Sequence, residues 1–225
     1  MVRLALFDID GTLIRTGGAG VKAFNVTAGA EFQRPNGTAH MNFAGRTDRS
    51  LVREFFTLHG IEPTSENFDR FFERYVFLLA HLLPQSGGAV CPGMCEFIQG
   101  LSQLPEPPAL GLLTGNISLG AQIKLRHFGL WDRFHFGAYG DDHEDRNELA
   151  RIAHQRGVST LGSHLKGSEV LVIGDTPHDI RCGRAIGAKV LAVGTGGASM
   201  AVLAAHDPDW LCPDVQGLNP ATIVG

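Results

Sequence analysis

Positive charge is in short supply in this 225-residue chain: 19 Lys and Arg face 23 Asp and Glu, a formal net charge of -4. With no long basic run, nothing recommends a nucleic-acid or anionic-membrane partner, though local cations would still suit a small phosphorylated substrate. No hydrophobic run approaches the length needed to span a bilayer, so no membrane segment is expected. The first ten residues already read as a core strand carrying carboxylates, without the apolar stretch and cleavage site of a secretory leader. Cysteine is sparse as well. Cys91, Cys95, Cys182 and Cys212 are dispersed, and no neighbouring Cys or His pair completes a zinc-type set around the first two. Reduced cysteines in a cytoplasmic protein are the default for that pattern. With 44% hydrophobic and 19% charged residues, the chain is ordinary globular material rather than disordered. It is long enough for one large domain or two modest ones.

What the chain does have is Leu4-Ala5-Leu6-Phe7-Asp8-Ile9-Asp10-Gly11-Thr12-Leu13. An apolar run suited to a buried strand ends abruptly in two carboxylates and a Gly-Thr turn. Strand side chains alternate with period two, so Asp8 and Asp10 point the same way. Like charges that close are costly unless a cation, a donor or a shared proton offsets them. The carboxyl end of a strand is also where open α/β sheets bind ligands. An Asp-Gly turn after a strand would account equally well for an isolated pair.

Beyond it, Arg15-Thr16-Gly17-Gly18-Ala19-Gly20 lacks the Lys-Ser/Thr ending of a P-loop and reads as a hinge into a helix over Val21–Phe32. Further helices are expected over Leu51–His59 and Phe68–Leu83, where aromatic and aliphatic residues recur at spacings of three and four. That stripe is expected to be the core of a small bundle. Pro84-Gln85-Ser86-Gly87-Gly88 is the return hinge, making residues 16–87 an all-helical insertion. From residue 88 the pattern alternates. Strands are expected at Ala109–Leu113, Phe134–Phe136, Glu169–Ile173, Val190–Val193 and Trp210–Leu211, with helices at Met94–Ser102, Leu119–Phe128, Asn147–Arg156 and Asp179–Ala185. Residues 1–15 and 88–225 thus predict an α/β core, a parallel sheet covered on both faces.

Three more strand ends carry polar residues. In Leu113-Thr114-Gly115-Asn116, Gly115 allows close backbone approach, and Asn116 or Ser118 can cap a helix whose free N–H groups suit an anion. In Gly174-Asp175-Thr176-Pro177-His178-Asp179, Thr176 is placed as N-cap, Pro177 as first helical residue and Asp179 in the first turn. Capping explains Asp179 but not Asp175, which would suit a hard cation such as magnesium. The run Gly140–Glu148 is acidic and ends near Arg146; by composition it is a solvated loop. Together the four strand ends assemble carboxylates for a metal, a free carboxylate, hydroxyl and backbone donors, and a cation, a kit for phosphoryl transfer.

In this order, Asp8-Ile9-Asp10-Gly11-Thr12, Leu113-Thr114-Gly115-Asn116, Arg146 and Gly174-Asp175 with Asp179 resemble the motifs of the haloacid dehalogenase-like hydrolase superfamily. The helical insertion is similar to the cap of its phosphoglycolate phosphatase-like branch. The resemblance implies a Rossmann-like core with an inserted helical cap, and a magnesium-dependent phosphatase acting on a small phosphorylated metabolite. Asp8 would be the nucleophile and Asp10 the general acid and base. Asp8, Asp175 and the backbone carbonyl of Asp10 would hold magnesium, with Asp179 supporting the metal or the cation. Thr114 would bond the phosphoryl group, with Gly11, Thr12, Gly115 and Asn116 beside it. Arg146 stands where the family most often has Lys; Lys124 falls too early and Lys166 too late, and Arg151 is the fallback. Arg46, in Gly45-Arg46-Thr47-Asp48, would meet a second anionic group such as a carboxylate. Asp10 disfavours a dehalogenase, and the Asp-Lys-Thr-Gly of pumping ATPases is absent. A phosphosugar mutase is the alternative activity, and a non-catalytic binding domain a third. Oligomeric state is not legible.

Overall fold

The computed structural model describes residues 1–225. The chain begins with β1 (Leu4–Phe7), β2 (Ile14–Arg15) and three helices, α1 (Ala19–Phe32), α2 (Asp48–His59) and α3 (Ser65–Leu82). It continues through β3 (Ala89–Val90), α4 (Met94–Ser102), β4 (Ala109–Leu113), α5 (Ser118–His127), β5 (Phe136–Ala138) and α6 (Arg146–Leu161). The last third holds β6 (Val170–Gly174), α7 (Pro177–Ala185), β7 (Lys189–Val193), α8 (Met200–Ala204), β8 (Trp210–Cys212) and α9 (Ala221–Val224).

Six strands form one sheet in the order β5-β4-β1-β6-β7-β8, and every pairing in it is parallel. Parallel strands need crossovers, and the crossover helices cover both faces. Alternation therefore divides each strand between two apolar clusters. Ala5 and Phe7 of β1 with Leu171 and Ile173 of β6 enter one cluster; Leu4, Leu6, Val170 and Val172 enter the other. Helices α4, α5 and α9 pack on the first face, and α6, α7 and α8 on the second. β1 lies between β4 and β6, so the chain leaves it toward one side of the sheet and later returns on the other. That reversal opens a crevice above the carboxyl end of β1.

Helices α1–α3 are built around a cluster of their own. Phe71 is fully buried, with its ring 4.6 Å from Phe24, 5.8 Å from Phe55 and 5.9 Å from Phe32 between centroids. Thr47 and Thr64 cap α2 and α3 by accepting from Ser50 N and Asn67 N. Both chain passages to these helices run through an antiparallel ribbon that sequence reading missed, with Ile14 opposite Val90 and Arg15 opposite Ala89. Two-residue strands carry too little periodicity to be seen in sequence.

Several expected boundaries move. α1 starts at Ala19, capped by Gly18 at φ 83°, so Gly20 is helical rather than hinge. α6 runs on to Leu161, five residues past expectation, and the strand expected at Phe134–Phe136 shifts to Phe136–Ala138. The short α8 and α9 were not anticipated. No helix is long and apolar enough to cross a membrane.

Phe71→Ala is expected to lower unfolding free energy by about 3–5 kcal/mol, because the neighbouring rings cannot collapse into the space it leaves. Urea denaturation followed by circular dichroism measures this; a loss below 1 kcal/mol would mean that the ring cluster does not hold α1–α3 together.

Candidate active site

The last ladder bond of the central strands, Asp8 N to Ile173 O at 3.0 Å, locks the backbone of Asp8 beside β6. The chain then turns sharply through Gly11, whose φ of 87° suits glycine. Asp8 is buried, whereas the Asp10 side chain is 41% exposed. Across from them, Asp145 caps α6 by accepting from Asn147 N at 2.8 Å, which sets Arg146 at the first helical position. Its Nη2 donates to Asp8 Oδ1 at 3.3 Å and to Asp179 Oδ1. Asp179 completes a capping box with Thr176, taking Thr176 N at 3.0 Å on its other oxygen. Capping and the site thus share one carboxylate, and Asp179 supports the guanidinium.

Asp175, directly after β6, accepts from Thr12 Oγ1 at 2.9 Å. Its other oxygen lies so close to Gly11 and Gly196 that a Cβ on either would stand 2.5 Å and 1.6 Å from it. The carboxylate is cradled between two backbone segments that tolerate no side chain. Thr12 is fully buried behind Asp175 and away from the cavity, so it holds a carboxylate rather than facing a ligand. That differs from its expected place beside the substrate.

Asp8, Asp175 and Asp179 offer oxygens within 4.8 Å of one another, all buried. Burial pushes the Asp8 carboxyl up to about 7; Arg146 opposes this, and the charges of Asp179 and Asp10 add to it. Asp175 is raised well above the usual carboxylate range by burial and then by Asp179 and Asp8. One guanidinium cannot neutralise three carboxylates in a medium of low dielectric. An all-oxygen, over-anionic donor set fits a hard divalent cation.

On the β4 side, Asn116 Nδ2 donates to Thr114 Oγ1 at 2.9 Å and to Asp10 Oδ2 at 2.8 Å. Asn116 therefore ties the site together instead of capping α5, and Ile117 takes the cap position with no side-chain bond. The N–H groups at the start of α5, expected to suit an anion, are taken by carboxylates from elsewhere: Ile117 N donates to Asp48 at 2.9 Å, and Ser118 N to Asp141. Asp48 also donates its own N–H to Gly115 O at 2.7 Å, seating α2 on the β4 end. A Cβ at Gly115 would lie 2.1 Å from Arg46 O, so this seat requires glycine.

A cavity of about 500 Å³ lies between the sheet end and α1–α3, with Asp8, Asp10, Thr114, Gly115, Asn116 and Arg146 among its lining. Of the α3 aromatic stripe only Tyr75 reaches it; the others are bundle core. Arg46 lies at this cavity with its guanidinium paired to Glu54. Arg151 pairs with Glu148 on the surface and takes no part. The acidic loop is structured: Asp142 pairs with Arg156, and Glu144 with Arg49 and Arg53.

Sequence reading missed three participants. Lys124 is 3% exposed and donates to Asp10 Oδ2 at 2.6 Å; its signal was a cation among Ala121 and Leu125 on the buried face of a helix. Arg15 Nε donates to Thr195 O at 2.7 Å, and Thr195 Oγ1 to Gly11 O at 2.5 Å. The stretch Gly194-Thr195-Gly196 after β7 repeats the glycine-and-hydroxyl pattern already noted after β4.

The family model described as haloacid dehalogenase-like hydrolase matches residues 5–193. The chain is 28% identical to a phosphoglycolate phosphatase of Agrobacterium fabrum over 97% of this chain and 91% of that one. It is 26% identical to a phosphoglycolate phosphatase of Rhodospirillum rubrum over 94% and 91%. Among solved structures, a predicted phosphoglycolate phosphatase from Haemophilus somnus superposes with a TM-score of 0.76, covering 98% of each chain at 20% identity, and so shares the fold. The chain belongs to the haloacid dehalogenase-like hydrolases. Within them it falls in the phosphoglycolate phosphatase-like branch and is a hydrolase of the phosphatase kind.

Because the Asp8 carboxyl is raised from 3.8 to about 7, folding takes up a proton between those values, and metal-free stability falls as pH climbs from about 4 to 7. A cation binding the carboxylates offsets that loss. Magnesium is expected to raise the melting temperature more at pH 8 than at pH 5, and Asp8→Asn to shrink the difference. Scanning calorimetry with chelator and with magnesium decides it; equal shifts at both pH values would argue against the metal site.

Proposed function

We propose that the protein is a magnesium-dependent phosphomonoester hydrolase working through an aspartyl-phosphate on a small phosphorylated metabolite. The observation that carries this reading is a buried nucleophile candidate, Asp8, paired to Arg146 at 3.3 Å, beside an exposed Asp10 on one cavity floor. Asp8 attacks phosphorus as the ester P–O bond breaks, and the departing oxygen takes the proton of the Asp10 carboxyl. In the return step water gives a proton to Asp10, its oxygen bonds phosphorus, and the bond from phosphorus to Asp8 breaks. Magnesium held by Asp8, Asp175 and the Asp10 carbonyl, with Asp179 supporting it, would neutralise charge on the phosphoryl oxygens.

The remaining groups have matching roles. The O–H of Thr114 has no protein acceptor although its oxygen receives Asn116, so it is available to a phosphoryl oxygen. Arg146 Nε is buried without a partner, an unmet donor that costs about 1–3 kcal/mol and that an anionic oxygen would satisfy. Gly11 and Gly115 line the cavity with Asn116, and their missing side chains give room to the Asp175 carboxylate and the Arg46 carbonyl. Arg46 faces the far end of the substrate, where a carboxylate or second phosphate would compete with Glu54. The cavity suits a phosphoglycolate-like ester or a sugar phosphate. Residues 16–87 act as a cap over the core of residues 1–15 and 88–225, swinging about the Gly-rich passages next to the β2–β3 ribbon. The four free cysteines suit a reducing cytoplasm.

Phosphate release from p-nitrophenyl phosphate, phosphoglycolate and hexose phosphates should require magnesium and stop with chelator. Asp8→Asn should lower it on the order of 10³-fold or more while the protein stays folded. Conversion of a hexose 1-phosphate to its isomer without phosphate release would replace hydrolysis with a mutase reaction; no turnover of any ester by folded protein with magnesium would overturn the proposal.

A further inference from the structure

Lys124 is an expensive residue to place where it is. Its ammonium is taken out of water on the core-facing side of α5, a loss recovered only through close, well-directed partners. It has them: Nζ donates to Asp10 Oδ2 at 2.6 Å and to Asn116 Oδ1 at 2.5 Å. The Asn116 amide nitrogen closes the ring onto the same Asp10 oxygen at 2.8 Å. Two donors therefore pin Oδ2, while no protein group donates to Oδ1. The ammonium is covered from the helical side, since a Cβ at Gly20 of α1 would lie 3.6 Å from Nζ, and the Tyr75 hydroxyl of α3 stands 3.7 Å from that same point. A larger residue at position 20 would meet the ammonium directly.

We propose that Lys124 is a positioning residue for Asp10: with Asn116 it fixes one carboxylate oxygen and presents the other to the cavity. This rests on Asp10 serving as the acid and base of phosphoester hydrolysis. Both bonds of the Lys124 ammonium go to Asp10 and Asn116, so its effect passes through the orientation of that carboxyl. Orientation errors of an ångström cost proton transfer about 10²-fold. They matter most when the departing oxygen needs its proton, as an alkoxide does and p-nitrophenolate does not.

The test uses the full chain with magnesium, measuring kcat/KM for p-nitrophenyl phosphate and for the better turned over of phosphoglycolate and glycerol 3-phosphate. Lys124→Met is expected to lower the alkyl ester about 10²-fold and the aryl ester less than about tenfold, with Lys124→Arg between Met and wild type. In an Asp10→Asn background, Lys124→Met should change the alkyl rate less than about threefold, because there is no carboxyl proton left to position. Equal losses on both esters, or losses that multiply with Asp10→Asn, would overturn the proposal. If Lys124→Met does not fold, Lys124→Arg carries the test: an alkyl-to-aryl ratio below wild type supports positioning, and an unchanged ratio overturns it. Wild-type turnover with multiplying losses defeats this inference alone, whereas a wild type with no turnover defeats the hydrolase reading and this one with it.

Discussion

Everything near the end of β1 depends on keeping carboxylates together in a place where charge is costly. Asp8, Asp175 and Asp179 are buried, and the guanidinium of Arg146 is the buried cation set between Asp8 and Asp179. A planar group that never loses its charge can serve two carboxylates at once, which an ammonium does less well. Its own charge is further secured by them: burial works against it, but Asp179 and Asp8 outweigh that. The surroundings are arranged around this centre. Thr12 and two glycine backbones fix Asp175, and the capping box fixes Asp179. An imbalance of charge persists, and it is the imbalance that makes the site receptive to a cation.

The second cation sets up a different region. Lys124 and Asn116 hold Asp10 on the open side of the site, beneath α1 and α3. Asp48, from the helical insertion, reaches across to Ile117 and Gly115 at the β4 end. Burial raises the Asp48 carboxyl to about 6, with Lys124 opposing and the backbone bond from Ile117 assisting its charged form. The insertion meets the rest of the chain through these polar contacts and through an apolar seam along α5, where Ile117 is buried in the helical cluster and Ile123 and Phe128 pack against it.

Much of the outline was legible in the chain. Buried parallel strands announce themselves as short apolar runs, and β4 and α4 fall where expected because their boundaries are marked by proline-rich or glycine-rich turns. Asp8, Thr114 and Asp175 stood out because each follows an apolar strand run directly, Asp10 because it shares a face with Asp8, and Arg146 through the family resemblance. The misses share a physical cause. Lys124, Thr195 and Arg15 matter through partners 114, 184 and 180 residues away in the chain. Local spacing carries no trace of such pairings. Asn116 is the instructive case: capping and bridging both call for a short amide, and only the position of Asp10 decides between them.

By itself, then, the sequence determined the strand and helix alternation, the division between sheet-forming and helical stretches, and the placing of acids and hydroxyls at strand ends. These follow from periodicity and turn chemistry, which act over a few residues. Tertiary structure alone decided that the α5 N–H groups are filled by Asp48 and Asp141 and that Thr12 serves Asp175. It also decided that a lysine on α5 belongs to Asp10. Electrostatic pairing in a buried site depends on distance and on the exclusion of water, and both exist only once remote segments have been brought together.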